Sequence, residues 1–154
     1  MNAHCSAGDV GDGFEIVYDV HAIDEWVAKS QQREADDGHA FWLAVERSMQ
    51  QPVGIYGPLR ATVDSESLVE IGWYTHRVHR GRGYAAEAAV AIAKWVFKNR
   101  PVEQVHACIL TQNIPSQRVA AAIGMQRVKR DVMHADIPHD LFAVAEAAVR
   151  SKAE

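Results

Sequence analysis

The sequence predicts an α+β fold, and two features carry that reading. Period-two segments fill the stretch from Phe41 to Thr75, and a glycine-arginine loop then opens a helix, a strand and a second helix. Antiparallel strands with short connections therefore come first, followed by strand, loop, helix, strand and helix. A chain of 154 residues is long enough for one core, burying about two-thirds of the surface its unfolded form exposes. With 48% apolar and 23% charged residues it has the composition of a globular protein rather than a disordered one.

Residues 1–18, with Gly8, Gly11 and Gly13 beside aspartates, read as a loose lead-in, although 14–18 has strand character; 19–154 read as one domain. Val20, Ile23, Trp26 and Val27 recur at helical spacing over 19–35, and Asp36-Asp37-Gly38 supplies a turn with glycine placed to end the helix. The period then changes to two. Strands are expected at 40–46, 51–56, 59–63 and 68–75, divided by Gly57-Pro58 and by the polar Asp64-Ser65-Glu66-Ser67. Ala85, Ala88, Ala89, Ile92, Trp95 and Val96 place a close-packing helix at 85–99, which Pro101 closes. A strand at 105–110 leads to a helix at 115–123, with proline near its first turn and Gly124 at its C-terminal cap. Strands at 126–133 and 140–145 complete the series. The tryptophans Trp26, Trp42, Trp73 and Trp95 sit on apolar patterns and belong to the core.

A formal net charge of −4 argues against a general nucleic-acid binder, which needs a basic face. The local cluster Arg77, His79, Arg80 and Arg82 stands out against that background. Cys5 and Cys108 do not make a disulfide framework, so a reducing, cytoplasmic setting is expected. No run of about 18 apolar residues suggests a membrane span, and no signal-peptide pattern points to export. His76 and His79 form His-x-x-His without a matching carboxylate or cysteine pair, so no metal is expected there.

Arg80-Gly81-Arg82-Gly83-Tyr84-Ala85 joins the strand at 68–75 to the helix at 85–99. A helix start leaves backbone N–H groups unpaired and carries about half a positive charge, and glycines let an anion approach the main chain. Two arginines add charge-assisted hydrogen bonds. The same residues fit a dinucleotide fingerprint, but that fold wants an acid at the end of the next strand. Glu103 precedes that strand, and Leu110-Thr111-Gln112 at its end contains no acid. The antiparallel strands upstream also disagree with it. A Walker A loop fails because no Gly-Lys-Ser/Thr follows.

The chain resembles the GNAT superfamily of acetyl-CoA-dependent N-acetyltransferases, whose pyrophosphate loop Gln/Arg-x-x-Gly-x-Gly/Ala is matched by Arg80, Gly83 and Ala85. The resemblance extends to the RimJ/RimL-like branch through Val69-Glu70-Ile71-Gly72-Trp73-Tyr74, the loop and its helix start, Asn113-x-x-Ser116-x-Arg118-Val119-Ala120, Gly124-Met125 and Pro138-His139-x-Leu141-Phe142. It implies a mixed, mostly antiparallel twisted sheet, split into a V between two parallel central strands, with helices on both faces. By that resemblance the main chain of Trp73, Tyr74 and Thr75 pairs with the pantetheine arm, Arg80, Gly81, Arg82, Gly83, Tyr84 and Ala85 hold the pyrophosphate, and Asn113 bonds the cofactor arm. Asn113 also reads simply as a helix-start residue.

The implied activity is transfer of acetyl from acetyl-CoA to a primary amine, on a small molecule or a protein N-terminus, by direct attack in a ternary complex. Such an amine must be neutral. Deprotonating an α-amine of pKa about 7.7–8.0 at neutral pH costs roughly 1 kcal/mol, and a lysine near 10.4 costs almost 5. Glu70 stands where the family places its general base, and it reads otherwise as a strand residue facing solvent or an arginine. The family's usual tyrosine acid falls on Ala120, which leaves Ser116 as the available hydroxyl or as a helix cap. His134 and His139 flank a segment that in relatives lies near the acceptor. The chain departs from the family at its start, where one helix precedes Phe41 instead of a strand and two helices. A non-catalytic acyl-CoA-binding module is the alternative. The expected assembly is a monomer or homodimer.

Overall fold

The computed structural model describes residues 20–134 and 137–150, and the side chains of 20–23 are not included. The lead-in, its candidate strand and Cys5 lie outside these residues. Packing divides the chain into two compact units, Met1–Ala40 and Phe41–Glu154. In the first, α1 (Val20–Asp37) covers the expected helix and ends as the sequence indicates: Gly38 adopts φ +68°, and its N–H donates to the Glu34 carbonyl at 2.9 Å.

The second unit contains a six-stranded sheet built from β1 (Trp42–Glu46), β2 (Gln51–Val63), β3 (Glu66–Thr75), β4 (Gln104–Ile109), β5 (Gln126–His134) and β6 (Ile137–Ala145). Its order is β1-β2-β3-β4-β6-β5, and only β3 and β4 run parallel. The crossover between them is α2 (Tyr84–Asn99), and α3 (Ile114–Ala122) follows β4. This is the mixed, mostly antiparallel α+β arrangement that the sequence predicts.

The structure differs at one division. Gly57-Pro58 does not separate two strands, because β2 runs unbroken from Gln51 to Val63 and pairs Gly57 with Gly72 and Pro58 with Ile71. The β1 ladder stops at Trp42↔Tyr56. Pro58 therefore lies beyond the end of the β1 ladder, where among the described residues no strand pairs with that side of β2, a position that tolerates a residue without an N–H. The β2–β3 turn is tighter than expected: Asp64 and Ser65 alone span it, at φ +48° and +70°, as a two-residue hairpin loop of the primed type. Two short 3-10 turns, Arg77–His79 and Glu146–Ala148, also went unforeseen.

Strand alternation sorts the sheet's two faces. Ile71, Val105, Ala107, Ile109 and Phe142 join Ala89, Ile92, Ala93 and Val96 of α2 in one cluster. Alanines at 89 and 93 let α2 approach closely. On the other face Val63, Val132 and Leu141 form a smaller cluster with Leu68 and Cys108 beside it. Glu70, next to Ile71 on β3, points to this second face. Asp140, 1% exposed, is tied to Arg127 across the β5–β6 hairpin at 3.0 Å.

The upper end of β2 is fixed by Gly54, which lies opposite Thr75. A β-carbon there would sit 2.6 Å from the Tyr56 hydroxyl and against the Tyr74 carbonyl. Tyr56 is buried, and its hydroxyl shares a 2.9 Å hydrogen bond with Thr75 Oγ1, so it has no free direction in which to yield. Gly54→Val is expected to cost about 1–3 kcal/mol through overpacking. A lower urea midpoint at unchanged slope would record it.

Candidate active site

The parallel contact between β3 and β4 is registered at Glu70↔His106 alone. Beyond it β3 continues to Thr75 and β4 to Ile109 without further pairing, so the strands part toward their C-terminal ends. At the fork, the Cys108 N–H donates to Glu70 Oε1 at 3.2 Å. A side-chain carboxylate thus takes the donor that a β3 carbonyl would otherwise accept.

The Glu70 side chain is 12% exposed. Burial pushes its pKa up to about 7, against the opposing pull of the Cys108 N–H and of His139. Its other oxygen, Oε2, lies 3.5 Å from Nε2 of His134, whose pKa burial lowers. The His134 and His139 rings stand almost perpendicular, with centroids 5.3 Å apart, and His139 Nδ1 is 2.7 Å from the Ile137 carbonyl. A Glu70 oxygen, Cys108 Sγ and a ring nitrogen of His134 all lie within 4.8 Å of one another. Burial, and secondarily the neighbouring Glu70, push the Cys108 thiol up to about 12. Iodoacetamide at pH 8 is therefore expected to label Cys108 about a thousandfold more slowly than a thiol of ordinary pKa near 8.5. Peptide mapping before and after denaturation measures this.

The loop between β3 and α2 forms a second group. Gly81 and Gly83 adopt φ +76° and +87°, conformations that bulkier residues resist. Gly83 is the N-cap of α2 and supplies no side chain, so no side-chain cap covers the helix's leading N–H groups. Arg80 and Arg82 are exposed, and Arg80 Nε donates to the Thr75 carbonyl at 3.2 Å, tying the loop to the end of β3. His79 is buried under the loop, its Nδ1 without a hydrogen-bond partner. Open N–H groups, exposed guanidinium groups and an orphaned buried nitrogen fit a bound polyanion.

The other predicted residues distribute unevenly. Trp73 packs against the α2 face, whereas Tyr74 is exposed and meets Phe41 edge to face at 5.5 Å. On one side the backbone of Trp73, Tyr74 and Thr75 is paired with β2; its other side borders the opening. Tyr84 and Ala85 begin α2. Asn113 is the N-cap of α3, where its Oδ1 accepts the Ser116 N–H at 3.2 Å. The helix-start reading of Asn113 is therefore observed, leaving its amide nitrogen for other partners. Ser116 is half-buried and contributes its backbone to that cap. Ala120 is fully buried in the core. A separate cleft of about 410 Å³ lies at the opposite end of the β3–β4 contact, lined in part by Leu68, His106 and Lys129, away from the loop.

Sequence reading did not associate Cys108 or the two histidines with Glu70. The available signal was register: β6 lies between β4 and β5, and Cys108↔Leu141 with Val132↔His139 brings alternate residues of all three strands to one face.

The family model described as "Acetyltransferase (GNAT) domain" matches residues 5–126. YkkB of Bacillus subtilis, itself described as uncharacterized, is 32% identical over 121 residues, covering 79% of this chain and 70% of YkkB. A GNAT-family acetyltransferase structure from Bacillus anthracis superposes with a TM-score of 0.68 at 25% identity, over 85% of this chain and 77% of that one. Ribosomal-protein-S5-alanine acetyltransferase from Vibrio fischeri gives 0.65 at 14% identity, over 85% and 74%. AAC(6')-Ib, solved with ribostamycin and coenzyme A, gives 0.65 at 18%, over 79% and 74%. These last two likenesses are likenesses of fold.

Proposed function

Because this chain belongs to the GNAT acetyltransferase family, we propose that it transfers acetyl from acetyl-CoA to a primary amine by direct attack in a ternary complex. The observation that carries this reading is the Glu70 carboxylate at the fork between β3 and β4, beside an opening whose far end is the uncapped start of α2. Arg80 to Ala85 hold the pyrophosphate, the backbone of Trp73 to Thr75, on the edge away from β2, pairs with the pantetheine arm, and the Asn113 amide nitrogen bonds that arm.

In this proposal Glu70 removes a proton from the ammonium, directly or through one water. The freed nitrogen lone pair forms a bond to the acetyl carbonyl carbon, and the carbon–sulfur bond breaks. The nitrogen's second proton is lost as the adduct collapses and is relayed through the Ser116 hydroxyl to the departing thiolate. A base near pKa 7 suits an α-amine best: transfer from an amine of about 7.7–8.0 is uphill by only ~1 kcal/mol, against nearly 5 from a lysine. A protein N-terminus is therefore the favoured acceptor over a free amino acid or another small amine, in keeping with the RimJ/RimL-like motif blocks. We place the protein in the cytoplasm as a monomer or homodimer; among the described residues no helix is long and apolar enough to cross a membrane.

Coupling free-thiol release to a panel of peptides, amino acids and polyamines tests the reading. Transfer should be fastest to low-pKa amines. Acetyl-CoA binding with no transfer to any amine would instead favour a non-catalytic acyl-CoA module, for which the buried Ala120 in place of an acid is the supporting observation.

A further inference from the structure

Glu70 is enclosed on its own face by groups from three strands: Cys108 of β4, His134 of β5 and His139 of β6, with His106 as its register partner. Oε1 is engaged by the Cys108 N–H. Oε2 is therefore the less engaged oxygen for a proton accepted from an amine, and the titratable side chain next to Oε2 is His134. The side chains are 12% and 29% exposed for Glu70 and His134, so the histidine is the step toward water. The 3.5 Å separation is long for a hydrogen bond, as proton-transfer contacts often are before substrate binds.

We propose that His134 is a positioning and relay residue for Glu70: it donates from Nε2 to the carboxylate when Glu70 is ionised, and carries the accepted proton outward after each transfer. The proposal rests on Glu70 being the base. The proton balance is simple. The amine proton moves to Oε2, exchange with water moves the imidazole's own proton from Nε2 to Nδ1, and Nε2 then accepts from Oε2. The Nδ1 proton leaves to water, which restores the ionised carboxylate and the Nε2–H donor. His139 supports the geometry. Its Nδ1 is anchored at the Ile137 carbonyl, and its ring meets that of His134 edge to face, which limits how far His134 can swing from Glu70.

Removing His134 takes a donor from the Glu70 anion, which raises the pH at which Glu70 ionises. The decisive measurement is the titration of the Glu70 carboxyl carbon by 13C NMR in the whole protein without substrate. His134→Ala is expected to move that midpoint upward by about one pH unit, and His134→Gln, which restores an N–H donor, to recover part of it. An unmoved midpoint in a variant that still binds acetyl-CoA overturns the proposal. If His134→Ala does not fold, the pH–rate profile of His134→Gln decides the question: glutamine keeps a donor but cannot carry a proton, so an alkaline plateau equal to wild type overturns the proposal.

The acid limb of the pH–rate profile should shift with the NMR midpoint, and the alkaline plateau should stay below wild type, because the relay is gone. A residue that only packs would lower the rate equally at every pH. NMR coupling without acetyl transfer in any variant would retire the transferase reading and leave the Glu70–His134 pair standing.

Discussion

Glu70→Gln is expected to lower kcat by about a hundredfold to ten-thousandfold while leaving the dissociation constant for acetyl-CoA nearly unchanged. The substitution isolates the proton. A glutamine carbonyl oxygen can still accept the Cys108 N–H that Glu70 Oε1 accepts at 3.2 Å, so the fork between β3 and β4 keeps its hydrogen bond. What disappears is the capacity to take a proton from the amine. In the wild-type protein the rate should rise with pH through about 7, where buried Glu70 gives up its own proton. In the variant that limb should vanish.

The same substitution has a stability signature of defined sign. Folded Glu70 holds its proton to about 7, while an unfolded glutamate releases it near 4.5. A group with a raised folded pKa contributes stability that is complete below the unfolded value and is lost as pH rises through the folded one. The loss across this window is on the order of 3 kcal/mol for one such group. Urea unfolding from pH 4 to 8 should show a decline in the wild type that is shallower in Glu70→Gln. A variant with unchanged kcat would remove Glu70 as the base.

The helices and strands were legible because each has a periodic face and a stop signal of its own. Helix α2 begins one residue before the predicted 85–99, since Gly83 ends the loop by backbone conformation, and Tyr84 was free to join the first turn. Pro58 misled because local propensity cannot know where a neighbouring strand ends; the β1 ladder stops at Tyr56, before Pro58. The Arg80–Ala85 loop was readable for the opposite reason, as its glycines, arginines and helix start are contiguous. The Glu70 environment was not. Cys108, His134 and His139 arrive from β4, β5 and β6, and their meeting depends on the sheet order β4-β6-β5, which no local pattern encodes. A lone histidine in a strand carries no label for the strand it will face.

Gly83→Asp is expected to weaken acetyl-CoA binding by at least about a hundredfold without unfolding the protein. Aspartate is among the non-glycine residues that tolerate a positive φ, so the +87° conformation remains accessible to it. It is also a favoured N-cap. The new carboxylate would bond the leading N–H groups of α2, which no side chain covers in the wild type, and would place an anion where the cofactor's phosphates need open donors. Helix stability should thus hold or rise while binding falls, a divergence that misfolding cannot produce. The double substitution Arg80→Ala/Arg82→Ala tests the charge separately. Each charge-assisted hydrogen bond is worth about 1.5–3 kcal/mol, and both arginines are exposed, so the lower end applies and the pair should cost roughly a hundredfold in affinity. That loss should shrink as salt is raised, because screening weakens the wild-type contacts first. Gly81→Ala is the control for backbone strain: a β-carbon there meets nothing within 4 Å, so only the φ of +76° opposes it. Isothermal titration of the three variants separates strain from charge and from donor occupancy, and unchanged affinity in both Gly83→Asp and the arginine pair would show that the pyrophosphate binds elsewhere.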